Sequence, residues 1–216
     1  MSNVTHKYYY LEADDVGIEK GRKGKQSRKR LLEVAANEFA NRGFHETKVS
    51  TIVKRAGLTQ PSFYLYFPSK DAIYDELING FHANLKNLIE SFRLEKGIEK
   101  KHVSKRVTAA VEAVFRFLAE DPDLTRIGFF LSPEAGEMKK DLTLALKENL
   151  KAEQELGYFR SDLEMETVAE CLTGMIEHLA DIYLLDGSKD PSSLAKQITD
   201  LLIHGMLVNP QHPETE

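Results

Sequence analysis

Residues 43–78 read 43-GFHETKVSTIVKRAGLTQPSFYLYFPSKDAIYDELI-78, and this stretch decides how the first part of the chain folds. Its first apolar residues recur at the spacing of one helical face: Val49, Ile52, Val53 and Ala56. Gly57 ends that short helix, and Thr59 can cap a second one. Pro61 is tolerated in the first turn of the second helix, because an amide there needs no intrahelical partner. Two short helices joined by a turn that contains glycine are typical of a helix-turn-helix, which predicts DNA binding.

Helical periodicity continues on both sides of this pair. A first helix is predicted from Ser27 until 41-NRG-43 supplies a stop, and Pro68 is predicted to end the third helix. Ser69 can cap a longer fourth helix. Further helices are predicted at about 102–120, 122–131, 133–156, 162–186 and 191–208. Since no convincing strand alternation appears, we predict an all-α fold of about nine helices, with a three-helix head and a C-terminal helical bundle.

Charge is distributed unevenly along the chain. The whole sequence has a formal net charge of −5. Residues 20–70, however, hold twelve Lys and Arg against three acidic residues, a net charge of +9, whereas residues 71–216 hold sixteen against twenty-seven. A basic head on an acidic body suits a polyanion such as DNA, which the head attracts and the body repels.

Composition and missing motifs argue against several classes of protein. With 42% hydrophobic and 29% charged residues, the chain has the composition of a soluble globular protein. The lone Cys171 rules out an internal disulfide framework, and its apolar helical pattern predicts a buried thiol. The N-terminus lacks the apolar segment of a signal peptide, and no stretch approaches the about 18 residues that cross a bilayer, so we expect a cytoplasmic protein without a membrane anchor. No catalytic or phosphate-loop motif appears, and the seven His and one Cys form no pair at ligand spacing. We therefore expect no enzyme, cofactor or metal site.

The opening stretch resembles the signature of the tetracycline-repressor (TetR) family of bacterial transcriptional regulators. The matching residues have the order and spacing of the family: Gly43-Phe44, Thr47, Ile52, Ala56-Gly57-Leu58-Thr59, Phe63-Tyr64, Tyr66-Phe67 and Ser69-Lys70. The chain departs from the family pattern conservatively at Leu58 and Thr59. It also departs at Pro61, where many members have glycine, so the operator sequence does not carry over. The resemblance covers about residues 25–80 strongly and the remainder by architecture alone.

The polar side chains of the third helix have the chemistry of a DNA surface. Gln60 can form a bidentate bond with adenine, whereas the hydroxyls of Tyr64 and Tyr66 and the ammonium of Lys70 suit phosphate oxygens. The resemblance places ten residues at or near DNA: Thr47, Lys48, Ser50, Thr59, Gln60, Pro61, Ser62, Tyr64, Tyr66 and Lys70. Of these, the two tyrosines and the lysine are expected to contact phosphate.

The residue pattern, which lacks periodicity over residues 1–24, and the resemblance together divide the chain into four segments. Residues 1–24 are predicted to be a flexible arm with a basic end, and residues 25–72 the DNA-binding domain, with its helix-turn-helix at about 48–67. Residues 73–210 are predicted to bind a ligand and to dimerise, and residues 211–216 to form a tail.

The body of such proteins holds a small-molecule effector and forms a homodimer through its last two long helices, here about 162–186 and 191–208. Both carry more apolar positions than one narrow stripe requires, although burial within one subunit would explain them too. Candidates for the pocket are aromatic, thioether or polar-tipped residues on body helices, for each of which core packing is the competing explanation. They are Phe115, Phe129, Phe130, Met138, Met175, His178 and Tyr183.

The resemblance therefore implies a dimeric repressor that binds palindromic double-stranded operator DNA and is released by its effector. Two recognition helices must lie about 34–36 Å apart to enter successive major grooves, and a ligand that favours another spacing weakens the complex. Two alternatives stay open at this point. The chain could activate transcription or need a corepressor, or it could be a helical ligand carrier or interaction module that does not bind DNA.

Overall fold

The computed structural model describes residues 22–205, which form nine helices and no strand. The helices are α1 (Arg22–Glu46), α2 (Val49–Ala56), α3 (Gln60–Tyr64), α4 (Lys70–Ser91), α5 (Lys100–Glu120), α6 (Pro122–Thr125), α7 (Ala135–Glu155), α8 (Met165–Leu179) and α9 (Pro191–His204). Two of them continue as π-helical turns, α6 over Arg126–Leu131 and α8 over Ala180–Leu184. The predicted all-α fold is confirmed.

The beginning and the end of the described chain differ from the sequence-based boundaries. α1 begins at Arg22, so residues 22–24 are helical and do not belong to a flexible arm. α9 ends at His204, where Gly205 takes a positive φ of 72°. Residues 1–21 of the predicted arm, the last residues of the predicted final helix and the predicted tail at 211–216 lie outside the described residues.

α3 is shorter than predicted. It ends at Tyr64, whereas the sequence pattern predicts an end at Pro68. After Tyr64 the backbone forms turns in which the amides of Tyr66 and Phe67 both donate to the carbonyl of Phe63, each at 2.9 Å. The capping residue Ser69 then starts α4, with its Oγ accepting from the amide of Ala72 at 3.1 Å. The predicted domain boundary between residues 72 and 73 falls inside α4, which continues without a break to Ser91.

The chain packs as two compact units, and the first comprises residues 22–86 and 121–140 of the described chain. α1 packs against α2 and α6, and α2 packs against α3. The core of this unit consists of buried aliphatic and aromatic side chains: Leu31, Phe39, Ile52, Phe63, Phe67 and Ile73. α1 is interrupted at Gly43, whose φ of 79° and ψ of 163° confirm the predicted stop at 41-NRG-43.

A close approach between two elements adds to the core of the first unit. A Cβ atom on Gly128 would lie 2.6 Å from Cδ1 of Phe81, so this position of the π-helical turn has room for a hydrogen atom only. His82 forms a hydrogen bond of 3.1 Å between its Nε2 and the carbonyl of the same glycine. The ring of Phe129 lies 6.5 Å from the ring of Phe81. These contacts join α4 to the residues that follow α6.

The second unit comprises residues 87–120 and 141–205. α5 packs along α9 and also against the π-helical turn that follows α8. Within the unit, the hydroxyls of Thr143 on α7 and Thr173 on α8 are 2.8 Å apart and hydrogen-bonded. The last turn of α4 belongs to this unit, although most of that helix belongs to the first.

Candidate DNA interface and ligand cavity

α2, α3 and the turn between them have the local geometry of a helix-turn-helix. Gly57 ends α2 in the left-handed conformation, at φ 66° and ψ 32°, as its position in the sequence predicts. Thr59 caps α3, since its Oγ1 accepts from the amide of Ser62 at 3.4 Å and lies 2.8 Å from the hydroxyl oxygen of the same serine. The predicted stop and the predicted cap are therefore both confirmed.

The surface of this motif carries most of the residues predicted to contact DNA. Phe63 and Phe67 are buried, whereas Tyr64 is 53% exposed. Five of the predicted contact residues are also exposed, namely Lys48, Ser50, Thr59, Gln60 and Pro61. Ser62 and Tyr66 are partly buried. The structure thus brings together on the surface of α2 and α3 the amide, hydroxyl and cationic groups that bond bases and phosphates.

The start of α2 offers backbone donors beside one of these cations. Lys48 occupies the N-cap position with an extended backbone, and no side chain among the described residues caps the helix. The amides of a first helical turn have no intrahelical acceptor, and the positive end of the helix dipole attracts anions. This end of α2 is suited to a phosphate group.

Thr47, which is predicted to lie at or near DNA, has a buried side chain in the structure. The residue is only 1% exposed, and its hydroxyl donates to the carbonyl of Gly43 at 2.8 Å. The threonine of the motif therefore closes the turn between α1 and α2. A sequence pattern shows that a threonine occurs at this spacing but not which way its hydroxyl points.

Lys70, which is predicted to contact phosphate, is partly exposed and points its ammonium at the backbone of the protein itself. Its Nζ donates to the carbonyls of Phe44 at 2.7 Å, Thr47 at 3.0 Å and His45 at 3.4 Å. The same nitrogen lies 4.3 Å from the centre of the Phe44 ring. A lysine ammonium has three donors, and here all three point at backbone carbonyls. Lys70 therefore positions the turn that leads into α2.

Three of the arginines counted in the head are paired within the protein. Glu38 is buried and pairs with Arg55 and, at 3.1 Å, with Arg42, while Arg28 pairs with Glu76. These guanidinium groups stabilise the head and are less available to phosphate. The raw charge of residues 20–70 consequently overstates the number of cations that DNA can meet.

Two residues of the exposed surface were missed by the sequence-based prediction. Lys54 is exposed on α2, and neither it nor Lys48 has an ion-pair partner within residues 22–205. Leu65 follows α3 and is 63% exposed, beside Tyr64. A leucine in a helical pattern is predicted to be buried. Its exposure follows from the end of α3 at Tyr64, which the sequence did not predict.

The second unit contains a cavity of about 120 Å³ with mostly apolar walls. α4, α5 and α7 to α9 all contribute to it. The apolar lining includes Ile89, Phe92, Val111, Phe115, Leu150, Leu172, Met175 and Ile198. Of the seven candidate pocket residues, Phe115 and Met175 line this cavity.

The other five candidates do not line it. Phe129 and Met138 are buried in the first unit, and Phe130 packs against Phe129 with ring centres 5.3 Å apart. His178 is exposed on α8, and the Tyr183 ring lies 3.8 Å from Nζ of Lys189. Side-chain type alone did not separate core aromatic residues from those that line a cavity.

Three polar residues interrupt the apolar wall. Asn149 donates from Nδ2 to the carbonyl of Ile89 at 3.0 Å, and Glu153 accepts at Oε1 from the amide of Leu94 at 2.8 Å. Burial raises the pKa of Glu153, although the Leu94 amide and the nearby Arg93 act against that increase. The third residue, Arg106, is exposed.

Arg106 also lines a second, more open cleft of about 460 Å³. This cleft is formed by the residues before α5 and by its first turns, and it includes the acidic Glu99 as well as His102 and Lys105. An apolar cavity therefore lies next to a cleft with several basic side chains, and Arg106 borders both. Such a pair of sites matches a ligand with an apolar chain and an anionic head.

Several remaining expectations concern single features of the chain. Cys171, predicted to be buried, is exposed on α8, because the apolar side of that helix lies elsewhere. Within residues 22–205, no three His, Cys, Asp or Glu side chains come together as a metal site. No described helix is long and apolar enough to cross a membrane.

Comparison with known proteins gives related sequences and folds. A sequence model for the bacterial regulatory proteins of the tetR family matches residues 31–77. The uncharacterized HTH-type transcriptional regulator YdgC of Bacillus subtilis strain 168 is 66% identical over 185 residues, which cover 86% of this chain and 95% of YdgC. The HTH-type transcriptional repressor KstR2 of Rhodococcus jostii RHA1 is 27% identical over 204 residues, 90% of this chain and 95% of that protein.

The fold is shared with solved structures. The crystal structure of the transcriptional regulator FadR from Bacillus subtilis in complex with stearoyl-CoA has a TM-score of 0.61, with 21% identity, and the match covers 83% of this chain and 99% of FadR. The matched family segment at 31–77 contains α2, α3 and the exposed polar surface described above. Together with the 66% identity to YdgC, this shows that the chain belongs to the TetR family and is a DNA-binding transcriptional regulator.

Proposed function

We propose that this regulator is a dimeric repressor that leaves its operator when an amphipathic acyl compound occupies the cavity of the second unit. The observation that carries the proposal is the apolar cavity beside the basic cleft, with Arg106 bordering both. An acyl chain suits the apolar walls, and the phosphates of a coenzyme A thioester suit the basic side chains. The similar fold of FadR, whose structure contains stearoyl-CoA, supports this class of effector.

Repression is the direction that we assign to the regulator. KstR2, which matches this chain over 90% of its length, is described as a transcriptional repressor. A helix-turn-helix protein bound over a promoter blocks RNA polymerase without needing a further contact. We infer a cytoplasmic location, since the operator is there, and a role in regulation without catalysis.

The proposed DNA surface consists of exposed groups on α2 and α3. Gln60, Pro61 and Leu65 are placed to meet base edges, where an amide can pair with adenine and an apolar group can contact the thymine methyl. Lys48, Lys54 and Tyr64 are placed to meet phosphates, together with Ser50 and the first amides of α2. Thr47 and Lys70 act indirectly, by fixing the turn before α2.

A dimer through α8 and α9 is supported by their exposed faces. The end of α9 exposes three consecutive aliphatic residues, Leu201, Leu202 and Ile203, each by about two fifths of its surface. α8 exposes a stripe that includes Cys171, Gly174 and His178. Small residues along a stripe let two helices approach closely, and the aliphatic residues would be covered by a partner. Two DNA-binding heads related by a twofold axis would read a palindromic operator.

Transcription in vitro tests the proposal as a whole. The template carries the DNA upstream of the regulator's own gene, and purified RNA polymerase is combined with the regulator in the presence or absence of stearoyl-CoA. The proposal predicts less transcript with the regulator and recovery with stearoyl-CoA, but no recovery with coenzyme A alone. More transcript would identify an activator, and repression only with stearoyl-CoA would identify a corepressor. A regulator that binds stearoyl-CoA but no DNA would be a ligand carrier.

A pair of arginine variants tests the basic cleft. R106M removes the cation that borders both cavities and should raise the Kd for stearoyl-CoA at least tenfold in calorimetry. R116M is the matched control on the same helix, since Arg116 is exposed and pairs with Glu112. Equal affinities of the two variants for stearoyl-CoA would contradict the assigned position of the head group.

A further inference from the structure

The wall that α7 contributes to the cavity carries two polar side chains among its apolar ones. Leu146, Asn149, Leu150 and Glu153 recur at the spacing of one helical face, and all four line the cavity. Asn149 is partly buried, and Glu153 is only 6% exposed. Burying a polar group lowers stability unless hydrogen bonds compensate. An amide and a carboxylate thus occupy positions where leucine would suit the rest of the wall.

Bonds to the backbone occupy one polar atom of each of these two side chains. Nδ2 of Asn149 donates to the carbonyl of Ile89 at 3.0 Å, and Oε1 of Glu153 accepts from the amide of Leu94 at 2.8 Å. The remaining oxygens, Oδ1 of Asn149 and Oε2 of Glu153, have no hydrogen-bond partner in the described part of the chain. We call these two oxygens the acceptor pair.

The acceptor pair is open to a molecule in the cavity. In the part of the chain that the structure describes, fully enclosed side-chain oxygens without a partner belong to Glu38, Ser132 and Thr199, and the acceptor pair is not among them. An alkyl chain that fills the cavity leaves these oxygens without a partner, which costs free energy, whereas a hydroxyl can bond them. The wall therefore favours a ligand that brings a hydrogen-bond donor into the cavity.

Glu153 lies toward the basic cleft. Its Oε1 bonds the amide of Leu94, and Gly97, three residues later, lines the cleft. Since consecutive Cα atoms are about 3.8 Å apart, Leu94 and Gly97 are separated by about 11 Å at most. Just after α7, the hydroxyl of Tyr158 accepts from the amide of Ile98, which also lines the cleft, at 2.9 Å. A ligand whose head group occupies the cleft therefore brings the first carbons of its chain to the acceptor pair.

We propose that the acceptor pair binds a hydroxyl near the head of the acyl chain, so that the cavity prefers a 3-hydroxyacyl thioester to the unsubstituted thioester of the same length. The inference rests on the proposed function, because it names the class of acyl compound that occupies the same cavity. Oε2 of Glu153 accepts from the hydroxyl of the ligand, and Oδ1 of Asn149 is the second acceptor.

A cation is the other partner that a buried carboxylate could bind, and the charges near the cavity disfavour it. The cleft at the mouth carries Lys105 and Arg106 as well as Glu99. Arg93 lies near enough to Glu153 to act on it electrostatically. These cations repel a positively charged ligand, whereas a hydroxyl carries no charge.

Calorimetry on the full-length protein compares three thioesters of equal chain length: stearoyl-CoA, 3-hydroxystearoyl-CoA and 3-oxostearoyl-CoA. The wild-type protein should bind the hydroxy compound with a Kd at least fivefold lower than that of stearoyl-CoA, because a hydrogen bond to a charged acceptor is a strong one. The 3-oxo compound carries an oxygen on the same carbon but no donor, and it should gain less than twofold. Equal gains from the two compounds would show a response to polarity alone and overturn the inference.

Substitutions on α7 test which side chains select the hydroxyl. E153M should reduce the preference for the hydroxy compound below twofold, and N149L should reduce it by at least half. E155M is the matched control, since Glu155 is exposed on the same helix, and it should keep the wild-type preference. E153Q keeps an acceptor for the Leu94 amide but turns a donor toward the cavity, so here the 3-oxo compound should bind at least threefold more tightly than stearoyl-CoA. If circular dichroism shows that E153M or N149L is unfolded, the wild-type protein and E153Q decide.

The outcomes separate this inference from the proposed effector class. If stearoyl-CoA binds the wild-type protein and the hydroxyl adds nothing, the effector class stands and the inference is overturned. The same conclusion holds if E153M weakens both thioesters equally, which would place an amide N–H of the coenzyme A arm against Glu153. Binding of dodecyltrimethylammonium to the wild-type protein but not to E153M would replace the inference by a cation site. If none of the three thioesters binds, the effector class is wrong and the inference falls with it.

Discussion

Replacing Lys70 by methionine separates a structural role from a DNA contact. K70M keeps the length and apolar stem of the side chain but removes the bonds to the carbonyls of Phe44 and Thr47, at 2.7 and 3.0 Å, and the weaker one to His45. Bonds from a charged donor contribute about 1.5–3 kcal/mol each, and a cation over a ring adds about 0.5–1 kcal/mol. Because Lys70 is partly exposed, water compensates for part of these lost interactions. We therefore expect the free energy of unfolding to fall by about 2–4 kcal/mol.

The assay combines urea unfolding with the salt dependence of operator binding. Each phosphate contact that is lost lowers the slope of log K against log salt by about 0.9. K70M should lower stability and leave this slope unchanged. K48M is the control on α2, where the lysine is exposed, and it should lower the slope without a comparable loss of stability. If K70M unfolds like the wild-type protein and lowers the slope as K48M does, Lys70 is a phosphate contact and our reassignment is wrong.

Two further predictions concern packing and buried charge. G128A places a methyl group 2.6 Å from Cδ1 of Phe81 and should lower the free energy of unfolding in urea by about 1–3 kcal/mol. G136A is the control, since a Cβ atom there meets nothing within 4 Å, and it should be neutral or slightly stabilising. Equal stabilities of the two variants would refute the close contact. Burial raises the pKa of Glu153, so the carboxylate lowers folded-state stability at neutral pH, and this loss disappears as protonation proceeds toward the pKa of the unfolded chain. E153Q should therefore have a higher Tm than the wild-type protein at pH 7.5, with the difference shrinking toward pH 4; a difference that grows as the pH falls would contradict the sign.

The sequence was sufficient to predict the elements that depend on local chemistry. Glycine adopts the left-handed backbone conformation more readily than other residues, so Gly57 predicts the end of α2. The hydroxyl of Thr59 can cap α3. The break at Gly43 followed in the same way. These features depend on a few neighbouring residues, so a single sequence determines them.

The roles of long and buried side chains could not be predicted in this way. Lys70 finds its carbonyl partners more than twenty residues earlier in the chain, and nothing in the spacing shows that contact. Phe115 and Phe129 are the same residue type, yet Phe115 lines the cavity and Phe129 packs in the first unit. Asn149 and Glu153 were not candidates at all, because polar residues on a charged helix read as solvent-exposed. Only the structure shows that they bond the backbone of Ile89 and Leu94.

The most direct test of the account is the affinity of the purified protein for a labelled duplex from its own upstream DNA, measured by fluorescence anisotropy with and without stearoyl-CoA. Coenzyme A at the same concentration serves as the control for the head group. We predict salt-sensitive binding at low micromolar concentration or below, and a rise in Kd of at least fivefold with stearoyl-CoA but not with coenzyme A. An operator Kd that stearoyl-CoA leaves unchanged, in a protein that calorimetry shows to be saturated with it, would contradict the account.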